Sequence, residues 1–264
     1  MSDPALTPDG YRYLKRTNLP APFHLRWLIP WLCRDESTRW NAAAWAGFTG
    51  LVVGTWGLVG GWAGVAAAAL VAVLPSVRFG LAHRVLVDLP ALGLATLAAA
   101  AWVNGWTIPA LVLAVLAGMS KETAPVFAAI FAWSPFLLIG LVAPMMIDAL
   151  RTRGGDDLGE HHAWILAHPV QASRKYHAGY LTTLDPRLVL PWGACVVALA
   201  SPSWQLAAVL VAAYAQLTVA TDTVRLYQWA APAVAVAAVT AVPPVWWPVL
   251  IILTAFNPLR GDGI

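Results

Sequence analysis

The chain has 264 residues, a length that ordinarily makes one or two soluble domains. Its composition excludes that: 59% of residues are hydrophobic, 11% are charged and the mean hydropathy is +0.67, whereas soluble chains carry about 25% charge. A soluble enzyme, a disordered regulator and a secreted disulfide scaffold are all ruled out, and a net charge of +3 from 16 scattered basic residues offers no nucleic-acid surface.

The expectation is an all-α, polytopic integral membrane protein, with its 15 tryptophans concentrated where hydrocarbon meets water. Residues 1–39 read as a polar, Pro-rich tail, and Met1–Pro20 lacks the apolar core of a signal peptide. Within that tail Phe23–Cys33 mixes Trp, Leu and Ile with His24 and Arg26. It is too short to span a ~30 Å hydrocarbon core, so it reads as an interfacial segment.

An N-terminal transmembrane bundle is expected over 40–150. Its apolar runs are Trp40–Gly60, Trp62–Val77, Val85–Asn104, Thr107–Met119 and Thr123–Leu150. An extramembrane loop, 151–188, separates these from a C-terminal group over 189–264. The runs there are Val189–Ser201, Trp204–Ala220, Leu226–Val242 and Val245–Phe256. Several fall short of the ~20 residues of a full span, which predicts about seven to nine membrane segments with some tilted or re-entrant. Lipid leaves no partner for open backbone groups, so the segments should be helices. Gly50, Gly54, Gly57 and Gly61 supply GxxxG-like spacings for close helix packing in the first of them.

The loop holds His161, His162, His168 and His177, but without a regular zinc spacing or a cysteine they read as solvated. Cys33 and Cys195 read as small buried hydrophobes.

In so apolar a chain the few charges near the spans carry the functional information, because each is costly unless it meets a partner or a watery cavity. Four groups stand out. Arg78, His83, Arg84 and Asp88 lie within eleven residues, and Arg84 and Asp88 are spaced to pair on one helix face. Ser120-Lys121-Glu122-Thr123 makes a sharp polar break between two apolar runs. Asp222 and Arg225 share a helical face with Thr218 and Trp229. Asp9 and Arg26 lie in the tail. Arginines at a bilayer surface suit a lipid phosphate or pyrophosphate, because the planar fork matches its oxygens. An aspartate left over could then act as a base toward a hydroxyl.

In order, these groups resemble the motifs of integral-membrane glycosyltransferases of the GT-C superfamily, in a compact or N-terminally shortened version. Asp9-Gly-Tyr-Arg-Tyr with Ala21-Pro-Phe-His-Leu-Arg26-Trp-Leu-Ile-Pro30 is similar to the first luminal loop of that group. Asp88-Leu-Pro90-Ala-Leu resembles the start of a later helix, Lys121-Glu122-Thr-Ala a helix junction, and Asp222-Thr-Val-Arg225 a late element.

The resemblance implies a GT-C-like helical bundle in a bacterial or phage-encoded inner or plasma membrane. Its partners would be membrane lipid and a polyprenyl-phosphate sugar donor, and transfer to a hydroxyl acceptor would be inverting. Carried over, Asp9 is the candidate general base, with Asp88 and Glu122 as further candidate catalytic carboxylates. Arg26, Arg78, His83, Arg84, Lys121, Asp222 and Arg225 are candidates for substrate or lipid-phosphate binding. No cofactor is called for; a divalent metal is compatible with the chemistry, but nothing in the sequence indicates one. Two rival readings are a multi-pass transporter with Asp88, Glu122 and Asp222 lining a path, and a non-catalytic membrane subunit of the same fold.

Overall fold

The computed structural model describes residues 25–34, 36–150, 164, 167–168, 171, 190–216 and 228–257. Every regular element among them is helical. In chain order they are α1 (Leu28–Cys33), α2 (Ser37–Val59), α3 (Gly61–Val73), α4 (Pro75–Ala82), α5 (Asp88–Val103), α6 (Thr107–Ser120), α7 (Ala124–Ala132), α8 (Val142–Leu150), α9 (Trp204–Gln216), α10 (Ala231–Ala241) and α11 (Trp247–Ala255). Short 3-10 segments lie at Pro135–Leu141, Leu190–Ala200, Gln228–Ala230 and Pro244–Trp246.

Proline sets where most of these helices begin. Pro75, Pro90, Pro109, Pro125, Pro144, Pro232 and Pro248 each occupy one of the first three positions of a helix. There the missing N–H is one the helix could not have used, and the fixed φ suits the first turn. The start of α9 is capped differently, by Ser203 Oγ accepting from the Leu206 N–H at 3.1 Å.

The chain divides into two compact units. One comprises Met1–Leu58 with Gly80–Gly159, the other Val59–Phe79 with Glu160–Ile264.

In the first unit α2 and α5 run parallel in close contact. Gly47, Gly50, Gly54 and Gly57 of α2 face Pro90, Gly93, Thr96 and Ala100 of α5 in register. A Cβ on Gly47 would lie 2.5 Å from the Pro90 Cα, so only glycine lets the backbones meet there. Thr55 and Thr96 are buried near this seam and return their hydroxyls to Leu51 and Leu92 carbonyls, leaving no open donor. Helix α6 then comes back along α5, and a second close crossing sets Gly118 against Gly140. At the far end of the α2–α5 pair Asn104 donates to the Gly57 carbonyl at 2.9 Å.

Two expectations are corrected and a third is refined. Gly61 does not extend the α2 glycine seam; it has φ +55 and opens α3, with nothing near its Cβ position. The run Trp62–Val77, short enough to be expected as tilted or re-entrant, divides into α3 and α4, bent by 54°. The run Thr123–Leu150 is broken too, because Trp133 ends α7 in the left-handed region and a 3-10 segment follows before α8.

In the second unit α10 packs on α3 and on the Leu190–Ala200 segment, and α11 packs on both. Leu190–Ala200 is kinked at Gly193, φ +55, where the Asn257 side chain closes the space a Cβ would take. Trp247 Nε1 donates to the last carbonyls of α10, Val239 and Val242, at 3.1 and 3.0 Å.

Among the described helices, α2 alone is long and apolar enough to cross a membrane by itself, at 23 residues. The bent α3–α4 pair passes the same criterion jointly, and six shorter apolar stretches accompany them. The outer surface is rich in large apolar groups: Trp62, Trp204, Leu150, Phe256 and Ile108 are each more than three-quarters exposed.

Candidate functional site

The polar content of the first unit collects where α5 begins and α6 ends. Asp88 is the first residue of α5, where the helix dipole favours a negative charge. Lys121 terminates α6 with extended backbone, its N–H still bonded to the Ala117 carbonyl at 2.8 Å. Because α5 and α6 are antiparallel neighbours, these two helix ends lie side by side. Lys121 Nζ bonds to Asp88 Oδ1 in an ion pair whose side chains are both about 5% exposed or less.

The residue after Lys121 points elsewhere. Glu122 accepts two hydrogen bonds from Arg26, from Nε to Oε2 at 3.1 Å and from Nη2 to Oε1 at 2.9 Å. This planar two-point fork is the strong geometry for a guanidinium on a carboxylate. The Trp27 N–H donates to the Met119 carbonyl at 2.9 Å, seating the next residue on the same turn. Two acids and two bases from three separate stretches thus form a nearly neutral array.

Burial alone would push the Glu122 carboxyl up, but the Arg26 charge and its hydrogen bonds outweigh that, with Lys121 adding to them. The outcome is a pKa below the usual carboxylate range.

The segment carrying Arg26 is itself anchored. Ile29 and Cys33 of α1 pack with Trp40, Val85 and Val87. Trp40 Nε1 donates to the Arg34 carbonyl at 2.8 Å, tying α1 to the start of α2. Trp27 stacks on Trp31 with ring centroids 5.3 Å apart.

Four of the sequence candidates are therefore gathered: Arg26, Asp88, Lys121 and Glu122. The expected Arg84–Asp88 pair does not form. Residues 83–87 lie between α4 and α5 and are not helical, so the i,i+4 spacing loses its meaning. Arg84 is exposed and donates through Nε to the Leu81 carbonyl at 3.3 Å. His83 is half-buried beside it. Arg78 falls in the other compact unit, where its Nη1 donates to the Ala255 carbonyl at the end of α11, 3.3 Å away. A cation at a helix C-terminus is a structural placement. Asp9, Asp222 and Arg225 lie outside the described residues, as do His161, His162 and His177.

Sequence reasoning passed over a role for Thr123, a member of the polar junction whose Oγ1 is buried beside the array without a hydrogen-bond partner. It also passed over Gly47, and over the backbone contact between Trp27 and Met119. A polar residue following Lys-Glu was a visible signal for the first; the other two depend on which helices meet.

In the second unit an apolar groove of about 440 Å³ is lined by residues including Ala63, Ala67, Val236 and Pro243. Its two polar side-chain groups are engaged, Thr240 Oγ1 with the Val236 carbonyl and the Trp247 indole as above. It offers hydrocarbon contact and no chemistry. Among the described residues no group of three or more His, Cys, Asp or Glu could hold a metal ion.

No protein-family model, curated protein or solved structure matches the chain.

Proposed function

We propose that the chain is a polytopic membrane glycosyltransferase of GT-C type that moves a sugar from a polyprenyl-phosphate donor to a hydroxyl acceptor. The observation that carries this reading is convergence. Arg26 of the first-loop-like stretch, Asp88 of the Asp-Leu-Pro helix start and the Lys121-Glu122 junction meet at one end of the α2–α5–α6 group. Three weak motifs, remote in sequence, thereby become parts of one place.

Membrane embedding is supported by the distribution of polarity. Large apolar side chains such as Trp62, Trp106 and Phe136 face outward, while Arg26, Asp88 and Lys121 are buried. Seven to nine crossings remain part of this proposal, with the shorter helices as partial or tilted spans.

In the reaction a carboxylate takes the proton of the acceptor hydroxyl as its oxygen attacks the anomeric carbon. The bond from that carbon to the donor phosphate breaks, and the lipid phosphate leaves with the electron pair, so the configuration inverts. Asp88 and Glu122 are each held by a cation, which disfavours proton uptake; Asp9 is the better candidate base. Arg84, with an exposed guanidinium that makes no ion pair among the described residues, is the best-placed candidate for the leaving phosphate.

The test is transfer by the purified full chain in nanodiscs, using polyprenyl-phosphate sugars and simple glycoside acceptors. Wild type should transfer, Asp9→Asn should lose at least a hundredfold in kcat, and Arg84→Ala should raise the donor KM. Full activity in Asp9→Asn removes the base assignment, and a wild type inert toward every donor removes the enzyme reading.

A further inference from the structure

Residues 26 and 27 are fastened to the end of α6 and the α6–α7 turn by three hydrogen bonds, two from the Arg26 fork to Glu122 and one from the Trp27 backbone to Met119. Neither residue is helical; α1 starts only at Leu28. The apolar attachment of this stretch lies further along, at Ile29 and Cys33. Its leading end is held in part by this polar fork, which depends on Glu122.

Both Glu122 oxygens face the guanidinium, and the carboxylate side chain is 22% exposed against 8% for that of Arg26. A carboxylate whose charge is already matched gains little by accepting a proton from a substrate hydroxyl. It gains much as a fixed anchor, since a bidentate pair defines the position and the plane of its partner.

We infer that Glu122 is a positioning residue: through Arg26 it latches the leading end of the N-terminal segment onto the α6–α7 turn, without touching substrate. Arg26 is thereby held in a defined place beside the Asp88–Lys121 pair. The enzymatic consequence rests on the glycosyltransferase reading; the latch itself does not.

The two are separated by measuring backbone hydrogen exchange and sugar transfer on the same full-length proteins in nanodiscs. The variants are Glu122→Gln, and the reversed pair Arg26→Glu with Glu122→Arg. Glu122→Gln should speed exchange of the 25–29 amides at least tenfold while α5 and α6 keep their protection. It should also lower kcat/KM tenfold or more. The reversed pair should regain most of the lost protection and of the lost transfer, because an anchor works in either polarity.

Unchanged exchange in Glu122→Gln overturns the latch. A reversed pair that is protected yet transfers no better than Glu122→Gln overturns the positioning role, since a carboxylate is then needed at position 122 itself. Should Glu122→Gln not fold, the reversed pair alone decides: wild-type protection supports the latch, and a freely exchanging segment sinks it. A wild type without transfer activity but with the expected exchange pattern defeats the enzyme reading and leaves the latch standing.

Discussion

Lys121 and Asp88, separated by 33 positions in sequence, form an ion pair with both side chains almost wholly removed from solvent. Such a pair is neutral to fold stability only when both members are present. Removing one leaves a charge without its counterion, at a cost of about 3–5 kcal/mol. Lys121→Met or Asp88→Leu alone should therefore lower the thermal midpoint sharply in a detergent-solubilised melting assay. The double variant should recover most of the loss, because apolar groups of similar size replace a buried pair at little net cost. Additive losses in the double variant would mean that the two side chains are not coupled.

The parallel α2–α5 contact gives a second prediction. At Gly93 an added Cβ would strike the Gly47 carbonyl, and backbone cannot move aside as a flexible side chain can. Gly93→Ala should cost about 1–3 kcal/mol, the usual penalty for overpacking. At Gly57 the nearest atom is the Ala100 Cβ at 3.0 Å, so Gly57→Ala should cost clearly less. Equal melting points for both variants would contradict the described approach of the two helices.

How far the sequence led depends on which physical signal each feature left in it. The start of α5 was legible in Asp88-Leu-Pro90, because proline suits the first turn of a helix. The candidate charges were legible because ionisable residues are rare in so apolar a chain. Their pairing was not. Arg84 and Asp88 looked like partners by spacing alone, a rule that holds only within one continuous helix. Lys121 reached Asp88 because α5 and α6 pack antiparallel, which local spacing does not encode. The span boundary failed at Trp133 for a related reason. Hydropathy averages across a break when apolar residues continue on both sides of it.

The Arg26–Glu122 pair makes stability depend on pH in a defined direction. Glu122 has a folded pKa below its ordinary value of 4.5, so the pair's contribution is fully present above that value. It is lost as the pH falls through the depressed folded value. The difference in melting temperature between wild type and Glu122→Gln should be constant from pH 7 to about 5 and should shrink on further acidification. A difference that grows toward acid pH would refute the ion pair as its source.

Cys33 gives the opposite sign. Burial in the α1 cluster pushes its thiol up from 9.0 to about 11, against a smaller lowering effect of Arg39. The folded state thus holds its proton more tightly than the unfolded chain, a contribution fully present below pH 9 and lost as pH rises through about 11. The thiolate is the reactive form, so iodoacetamide at pH 8 should leave Cys33 unmodified in the folded protein and modify it once α1 is unfolded. Modification in the folded protein at the rate of a free thiol would show that α1 does not shield it.

Topology supplies the most direct check on membrane embedding. Helix α2 measures roughly 34 Å at 1.5 Å per residue, while α5 with 16 residues reaches only roughly 24 Å. The parallel contact puts the starts of α2 and α5 at one end, and the Asn104–Gly57 hydrogen bond puts their later parts at the other. If α5 crosses the bilayer, Arg84 and Trp106, both exposed and flanking it, lie on opposite sides. Single cysteines at these positions, in a background with Cys33 and Cys195 replaced by alanine, should react with an impermeant maleimide from opposite faces of sealed vesicles. Because α5 is shorter than a ~30 Å core, the bilayer should thin around it, and both sites should stay accessible in full-thickness vesicles. Labelling of both from the same face would show that α5 does not cross, and the charged array would then belong to a helix packed at the interface.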